Sequence, residues 1–143
     1  MKLSTKCRYG VRAVFEIAKN YNQIPTKRKN IAKKQDLDES YLENILIDLK
    51  NANIVSSIRG VNGGFVLKMP PQTITILKIV ESLQGTLTPL ECLVDITVCK
   101  KVESCVTRPV WQKLKEAQEE VLSSFTIQDL LDTDGQGASE FII

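Results

Sequence analysis

The fold is decided by the stretch IVSSIRGVNGGFVL, residues 54–67. Two short runs of β-prone residues, 54–59 and 65–67, flank the segment GVNGG at 60–64. Glycine adopts the positive φ angles that the tip of a hairpin needs. The stretch therefore predicts a two-stranded β-hairpin with its tip at 60–64.

Three helices are predicted ahead of this hairpin. Apolar residues recur at three- and four-residue steps from 5 to 21, and a short, strongly basic helix follows from 27 to 35 with Thr26 as its cap. After a tight turn, Asp38 caps a third helix. The apolar stripe of this third helix is Leu42, Ile45, Leu46 and Leu49. Three helices followed by a β-hairpin form the element order of a winged helix-turn-helix.

Beyond the hairpin, the sequence predicts a connecting helix and a long helix. Thr75 caps the connecting helix and Gly85 ends it. Pro109 suits the first residue of the long helix, and Thr126 caps a short helix from 127 to 131. The apolar stripe of the long helix is Val110, Leu114, Ala117, Val121 and Leu122. No other segment is large enough to cover this stripe, which indicates a homodimer.

Together these elements predict a mostly α-helical protein with a small β-hairpin, in which a winged helix-turn-helix head is joined to a long dimerisation helix. The expected parts are a DNA-binding domain at 1–69, a connecting helix and cysteine-containing loop at 70–108, the dimerisation helix and the short following helix at 109–131, and a mobile tail at 132–143.

The charge pattern favours a DNA-binding head. The 143 residues have a net charge of +2, but residues 1–68 carry 13 Lys and Arg against 6 acids, whereas residues 69–143 carry 6 against 11. A basic module joined to an acidic one is typical of a DNA-binding head with a partner-binding tail. The chain has no His, no evident pairing of nucleophile and base and no phosphate-binding glycine loop, so we do not expect an enzyme.

The sequence also predicts the compartment. Its N-terminal residues do not resemble an export signal, and no apolar run reaches the roughly 20 residues of a membrane span. We therefore expect a cytoplasmic protein with no membrane partner. Its four Cys are then ligands, sensors or core thiols rather than disulfides.

Helix-turn-helix geometry identifies the candidate DNA contacts. The N-terminal end of the third helix enters the major groove, and the residues placed there are Glu39, Ser40, Tyr41, Glu43 and Asn44. Ser40 can donate to a phosphate or a base, and Glu43 can accept from a cytosine amino group. Arg59 leads into the hairpin tip, where a wing meets the minor groove or a phosphate.

The start of the second helix is expected to bind the DNA backbone. The residues that would neutralise phosphates there are Lys27, Arg28 and Lys29. Substitution of Arg28 is then predicted to weaken binding to all DNA similarly, whereas substitution of Glu43 changes the sequence preference.

Three segments resemble the Rrf2 family of bacterial winged-helix regulators: STKCRYG at 4–10, SYLE at 40–43 and SIRGVNGGF at 57–65. The resemblance covers essentially the whole chain. It implies a homodimer with crossed long helices that binds palindromic operators in double-stranded DNA. It also implies DNA contacts through the residues matching Ser40, Tyr41, Glu43 and Arg59.

The family divides at the loop before the long helix. Cluster-binding members, similar to the iron–sulfur regulator IscR and the nitric-oxide sensor NsrR, carry three Cys there, and cysteine-metabolism regulators similar to CymR lack them. This chain has Cys92, Cys99 and Cys105 in that loop. It therefore resembles the branch that binds an iron–sulfur cluster, either [2Fe–2S] or [4Fe–4S], since thiolates are the soft donors that such irons prefer.

The fourth ligand is where this sequence departs from those relatives. IscR-like proteins have a His at the position of Arg108, and NsrR-like proteins have an Asp at the position of Arg8. Cys7 stands where relatives such as CymR have a Gly. We hypothesise an all-thiolate site in which Cys7 of the partner subunit is the fourth ligand.

The predicted function is a homodimeric DNA-binding transcriptional repressor controlled by a cluster in the cysteine loop. Assembly or damage of the cluster is expected to reset the distance between the two recognition helices, which must lie near one DNA turn, roughly 34 Å apart. One alternative is a regulator of cysteine or sulfur metabolism with the same fold that senses a protein partner or metabolite without a cluster. A second alternative is a small iron–sulfur electron carrier.

Overall fold

The computed structural model of the chain describes residues 2–136. Over this range the elements are α1 Thr5–Ala18, α2 Arg28–Gln35, α3 Glu39–Asn51, β1 Val55–Ile58, β2 Gly64–Leu67, α4 Ile76–Gln84, α5 Arg108–Ser124 and α6 Ile127–Gly135. The predicted fold class, mostly α-helical with one β-hairpin in a winged helix-turn-helix, is confirmed. None of the helices described is long and apolar enough to cross a membrane.

Local side-chain chemistry explains where three of the helices begin. The Asp38 side chain accepts a hydrogen bond from the Tyr41 amide at 2.9 Å, and Thr75 accepts one from the Lys78 amide at 3.1 Å. Thr126 caps α6 reciprocally with a carboxylate three residues later. These are the predicted caps, and each satisfies an amide that the helix itself leaves unpaired.

The end of α1 and the start of α2 differ from the prediction. α1 ends at Ala18 rather than at residue 21, because the chain turns there and Asn22 adopts a left-handed φ of 60°. α2 begins at Arg28, and Thr26 does not cap it. Instead, Thr26 exchanges backbone hydrogen bonds of 2.9 and 2.8 Å with Phe65, which attaches the segment before α2 to the hairpin.

The wing is a short antiparallel ladder. Val55 pairs with Leu67 and Ile58 with Gly64, so the tip spans 59–63. Gly60 lies at φ 113°, and a Cβ on Gly63 would come 2.1 Å from the backbone oxygen of Ile58. Glycine is therefore required at the tip by both conformation and space.

The core lies between α1, α3, α4, the first wing strand and α6. Its fully buried side chains include Ile17, Ile31, Leu42, Ile45, Leu46, Leu49, Ile54, Ile74, Ile79 and Ile127. The α3 members are the predicted stripe. α6 packs into the head as well, since the Ile127 amide donates to the Ile74 carbonyl at 2.9 Å. The chain thus returns to the head after α5 instead of continuing that helix.

The short helix predicted at 127–131 is longer than expected and includes the first residues of the predicted tail, 132–143. α6 continues to Gly135, and within it the Thr133 hydroxyl donates to the Asp129 carbonyl at 2.9 Å. The capping box at Thr126 stabilises a helix longer than its apolar residues indicate. Residues 137–143 of the predicted tail lie outside the described residues.

α5 is the least covered helix. None of its residues is buried, and several large apolar side chains on it are exposed: Val110, Trp111, Leu114 and Val121. An open apolar groove of about 320 Å³ runs beside it, lined by Leu3, Leu87, Ala117, Gln118, Val121 and Leu122. The predicted uncovered stripe is therefore present in the chain as folded.

Candidate nucleic-acid interface and cysteine loop

The first two turns of α3 present the predicted recognition residues to solvent. Glu39, Ser40, Tyr41, Glu43 and Asn44 are all exposed, whereas the intervening Leu42 is fully buried. This division follows from the helical period, which places the apolar stripe inward and the polar residues outward. The surface has the position and polarity that a recognition helix needs.

Tyr41 is held by an aromatic contact that sequence reasoning missed. Its ring meets the ring of Tyr9 on α1 edge to face, with centroids 6.1 Å apart. The guanidinium of Arg12 lies 5.6 Å from the Tyr9 ring centre. Edge-to-face packing and a cation over a ring are both favourable, so Tyr41 has a supported orientation.

The basic residues before α3 are not equivalent. Lys27 and Lys29 are exposed, as expected for phosphate contacts. Arg28 instead lies against α3, with its Nη1 3.1 Å from Glu43 Oε1 and its Nε 3.6 Å from Glu39 Oε2. Arg28 is predicted to bind the DNA backbone, and Glu39 and Glu43 are predicted to lie in the major groove. In the structure these three side chains form one ion-paired cluster.

The wing is connected to the end of α3. Lys50 Nζ donates to the hydroxyl of Ser57 on β1 at 3.0 Å. Arg59, the first residue of the tip, is exposed. A side-chain hydrogen bond therefore connects the wing to α3, and sequence reasoning missed this Lys50–Ser57 link because it joins two elements.

The three loop cysteines lie between α4 and α5 in an open segment of three single 3-10 turns, Glu91–Leu93, Ile96–Val98 and Val102–Ser104. All three are free thiols. Cys99 is exposed, and Cys92 and Cys105 are half-buried. The turns contain no buried residue, and Val94, Ile96 and Val98 are each more than half exposed. A segment with so little burial changes conformation at low cost.

Cys105 lies where hydrogen-bond donors surround its sulfur. Its Sγ lies 3.4 Å from the Thr107 hydroxyl, just before α5 begins. Hydrogen bonds from that hydroxyl, and then from the backbone amides of Thr107 and Arg108, lower the pKa of the Cys105 thiol. The thiolate is the form that binds metals, so these contacts favour ligation.

Arg108 joins the two ends of the loop. Its Nη2 donates to the backbone carbonyl of Cys92 at 3.3 Å, and its Nε is buried with no hydrogen-bond partner. A guanidinium stays protonated and cannot coordinate iron. At the position where IscR-like proteins have a His, this chain therefore has a clamp between the first cysteine and the first turn of α5.

The donor set of the loop fits an iron–sulfur cluster in its chemistry. Three accessible thiols of one short segment, one of them activated, are the soft ligands that cluster irons take. Within residues 2–136, no group of three or more Cys, Asp or Glu side chains converges around one point. Ligation by Cys92, Cys99 and Cys105 therefore requires the open loop to close.

Cys7 lies elsewhere. It is 1% exposed between α1 and α4, where its Sγ is 3.2 Å from Gln84 Oε1 and 3.7 Å from the Val80 carbonyl. It packs with Val80 and Leu87 in a small apolar cluster. A ligand role for Cys7 would require this contact between helices to open, so the structure favours a core thiol.

Comparisons with known proteins agree with this architecture. The profile of the Rrf2 family, described as iron-dependent transcriptional regulators, matches residues 3–133. The chain is 42% identical to the HTH-type transcriptional regulator CymR of Bacillus subtilis over 137 residues, which cover 95% of this chain and 94% of that protein.

Solved structures give the same result. The structure of CymR, the global cysteine regulator of B. subtilis, superposes with a TM-score of 0.76 at 40% identity, covering 91% of this chain and 95% of that one. The structure of T. potens IscR superposes with a TM-score of 0.78 at 36% identity, covering 96% and 91%. These relatives are regulators and not enzymes, as the sequence predicts. The chain belongs to the Rrf2 family of DNA-binding transcriptional regulators.

Proposed function

We propose that this chain is a homodimeric transcriptional repressor whose binding to a palindromic operator is controlled by an iron–sulfur cluster held by Cys92, Cys99 and Cys105. One observation carries the proposal: three free cysteines, none of them buried, lie in one open loop that leads directly into α5. The description of the matched family as iron-dependent transcriptional regulators supports an iron-containing sensor.

The head supplies DNA recognition. Ser40, Tyr41, Glu43 and Asn44 enter the major groove on α3, and Arg59 extends the contact from the wing. Lys27 and Lys29 add affinity through phosphates and do not select sequence. The support is that all of these side chains are exposed, while the apolar residues of α3 between them form the core of the head.

A second copy of the chain covers α5. The exposed apolar side chains of this helix and the groove beside it need a partner, and a second α5 presents the same surface in a two-fold arrangement. Such a dimer places two α3 helices on one side, where productive binding needs a separation of roughly 34 Å.

The cysteine loop is coupled to that separation through α5. Arg108 belongs both to the first turn of α5 and, through its hydrogen bond to Cys92, to the start of the loop. When Cys92, Cys99 and Cys105 come together as ligands, the loop changes conformation. The hydrogen bond between Arg108 and Cys92 transmits this movement to the first turn of α5 and shifts the start of that helix. When bound, the cluster supplies a centre that responds to oxidants, nitric oxide or iron supply.

Metal content after strictly anaerobic purification tests the cluster. We expect a coloured protein with iron and acid-labile sulfide, and a Cys99→Ser variant that loses both. Cys99 is the suitable position because it is exposed and its replacement does not disturb the core. A colourless wild-type protein with no bound iron would contradict the proposal.

A second candidate is a regulator that senses a metabolite or a partner protein, with the loop cysteines redox-active only. The 42% identity to CymR favours it, as does the burial of Cys7, which leaves three loop thiols without an identified fourth ligand. An iron-free protein whose operator affinity still responds to a thiol metabolite or to an added partner would support this candidate over the cluster.

A further inference from the structure

The guanidinium of Arg28 lies between the two carboxylates of the recognition helix. Its Nη1 is 3.1 Å from Glu43 Oε1, and its Nε is 3.6 Å from Glu39 Oε2. The three side chains are about one-third to one-half exposed, so the cluster lies at the surface that would face DNA. Arg28 comes from α2 and both acids come from α3, so the cluster fixes one helix against the other.

This position differs from that of the neighbouring lysines. In the part of the chain that the structure describes, Lys27 and Lys29 have no ion pair and point into solvent, free to reach a phosphate. The Nε atom of Arg28 is buried without a hydrogen bond, and its side chain lines a small cavity of about 110 Å³ between α3 and the wing. A phosphate that took the Nε and Nη1 atoms of this guanidinium would have to displace two carboxylates.

We propose that Arg28 is a positioning residue for sequence recognition and not a phosphate ligand. It holds the carboxylate of Glu43 in one orientation before DNA arrives. This inference rests on the proposed role of Glu43 in base recognition.

The chemistry of the carboxylate allows both contacts at once. The ion pair uses Glu43 Oε1, and a carboxylate has a second oxygen with its own lone pairs, so Oε2 stays available to accept from a cytosine amino group. A Glu side chain held by a planar guanidinium also loses less rotamer entropy on binding than a free one. The guanidinium further offsets two negative charges that would otherwise repel the phosphate backbone.

The test compares base preference with general DNA affinity. Wild type, Arg28→Lys, Arg28→Met, Glu43→Gln and the control Lys29→Ala are each used to enrich duplexes from a random-sequence pool. Affinity is then measured on the duplex that wild type selects and on a scrambled duplex, over a series of salt concentrations. Arg28→Lys is the decisive variant, because it keeps the positive charge and loses the fork-like geometry. Thermal unfolding checks that each variant is folded.

For Arg28→Lys and Arg28→Met, we expect the preference for the selected duplex to fall about tenfold, the scale of one base contact, with an unchanged salt slope. The base pairs at which the Arg28 variants lose preference should be those at which Glu43→Gln loses it. A double variant of Arg28 and Glu43 should lose no more sequence preference than Glu43→Gln alone. Lys29→Ala should weaken binding to both duplexes equally, and it should lower the slope of log affinity against log salt concentration by about one.

Two results would overturn the inference, and they are distinguishable. If wild type selects a sequence but Arg28→Met behaves like Lys29→Ala, with uniform weakening and a smaller slope, and Arg28→Lys keeps the wild-type preference, Arg28 is a phosphate ligand and the proposed function stands. If wild type enriches no sequence at all, the proposed function fails and this inference fails with it.

Discussion

Replacing Cys7 by Ala distinguishes a core thiol from a cluster ligand. The sulfur is buried against α4 with Val80 and Leu87. Its removal deletes about one methylene equivalent of apolar burial, about 0.8 kcal/mol. It also leaves a cavity of roughly 25 Å³, which costs about 0.6 kcal/mol more. Gln84 Oε1 keeps its hydrogen bond from the Ser4 amide at 3.0 Å, so no buried acceptor is left unpaired.

The free energy of unfolding of Cys7→Ala should therefore fall by about 1.5 kcal/mol, which lowers the melting temperature by roughly 3 to 6 °C at fixed protein concentration. The assay is thermal unfolding of the iron-free, reduced protein, followed by an iron count on anaerobically purified protein. Cys99→Ala is the control: its stability should stay within about 0.5 kcal/mol of wild type, and its iron should be lost. A Cys7→Ala protein with unchanged stability that has lost its iron would refute the reasoning and restore Cys7 as a ligand.

Three further predictions concern dimerisation, the α6 cap and the wing. Val121→Glu places a charge on the exposed apolar face of α5, which is 57% exposed at that residue, so sedimentation should show monomers. Ser123→Glu, on the polar face, should stay dimeric. The hydrogen bonds of Thr126 lower the pKa of Asp129, so this carboxylate stabilises the fold above its ordinary value of 3.8. Asp129→Ala should therefore destabilise the protein near neutrality in urea titrations, and the difference from wild type should vanish as the pH falls through the lowered pKa; a constant difference would contradict this. Arg59→Ala should weaken DNA binding in an electrophoretic shift assay without changing the melting temperature. Unchanged affinity would contradict the predicted contact of Arg59 with DNA.

Much of the fold could be predicted because it is decided by local chemistry. The Asp38, Thr75 and Thr126 caps and the apolar stripe of α3 lie within a few residues of the backbone they organise. The start of α2, by contrast, depends on contacts outside that helix. Thr26 caps no helix because its hydroxyl accepts a hydrogen bond from the Asn20 side-chain amide at 2.9 Å, while its backbone pairs with Phe65, far along the chain.

The sequence predicts which residues of the candidate site are exposed, but it does not predict which side chains contact each other. The exposure of Glu43 and Arg59 follows from helix period and hairpin position. The ion pair between Arg28 and Glu43 has no sequence signal, because the two residues lie on different helices joined by a turn whose angle is set by packing. The same reason explains Cys7: its place on α1 was evident, but the presence of α4 against it was not.

The most direct test of the central claim is the affinity for operator DNA of cluster-loaded and cluster-free protein, measured anaerobically at one salt concentration. The operator is the duplex that the wild-type protein selects, and the salt is fixed because phosphate contacts make every affinity salt-dependent. Loss of a few symmetric base contacts, each worth about 1 to 3 kcal/mol, is expected to separate the two forms by at least tenfold on the operator and by much less on scrambled DNA. Equal operator affinity of the two forms would contradict control of DNA binding by the cysteine loop.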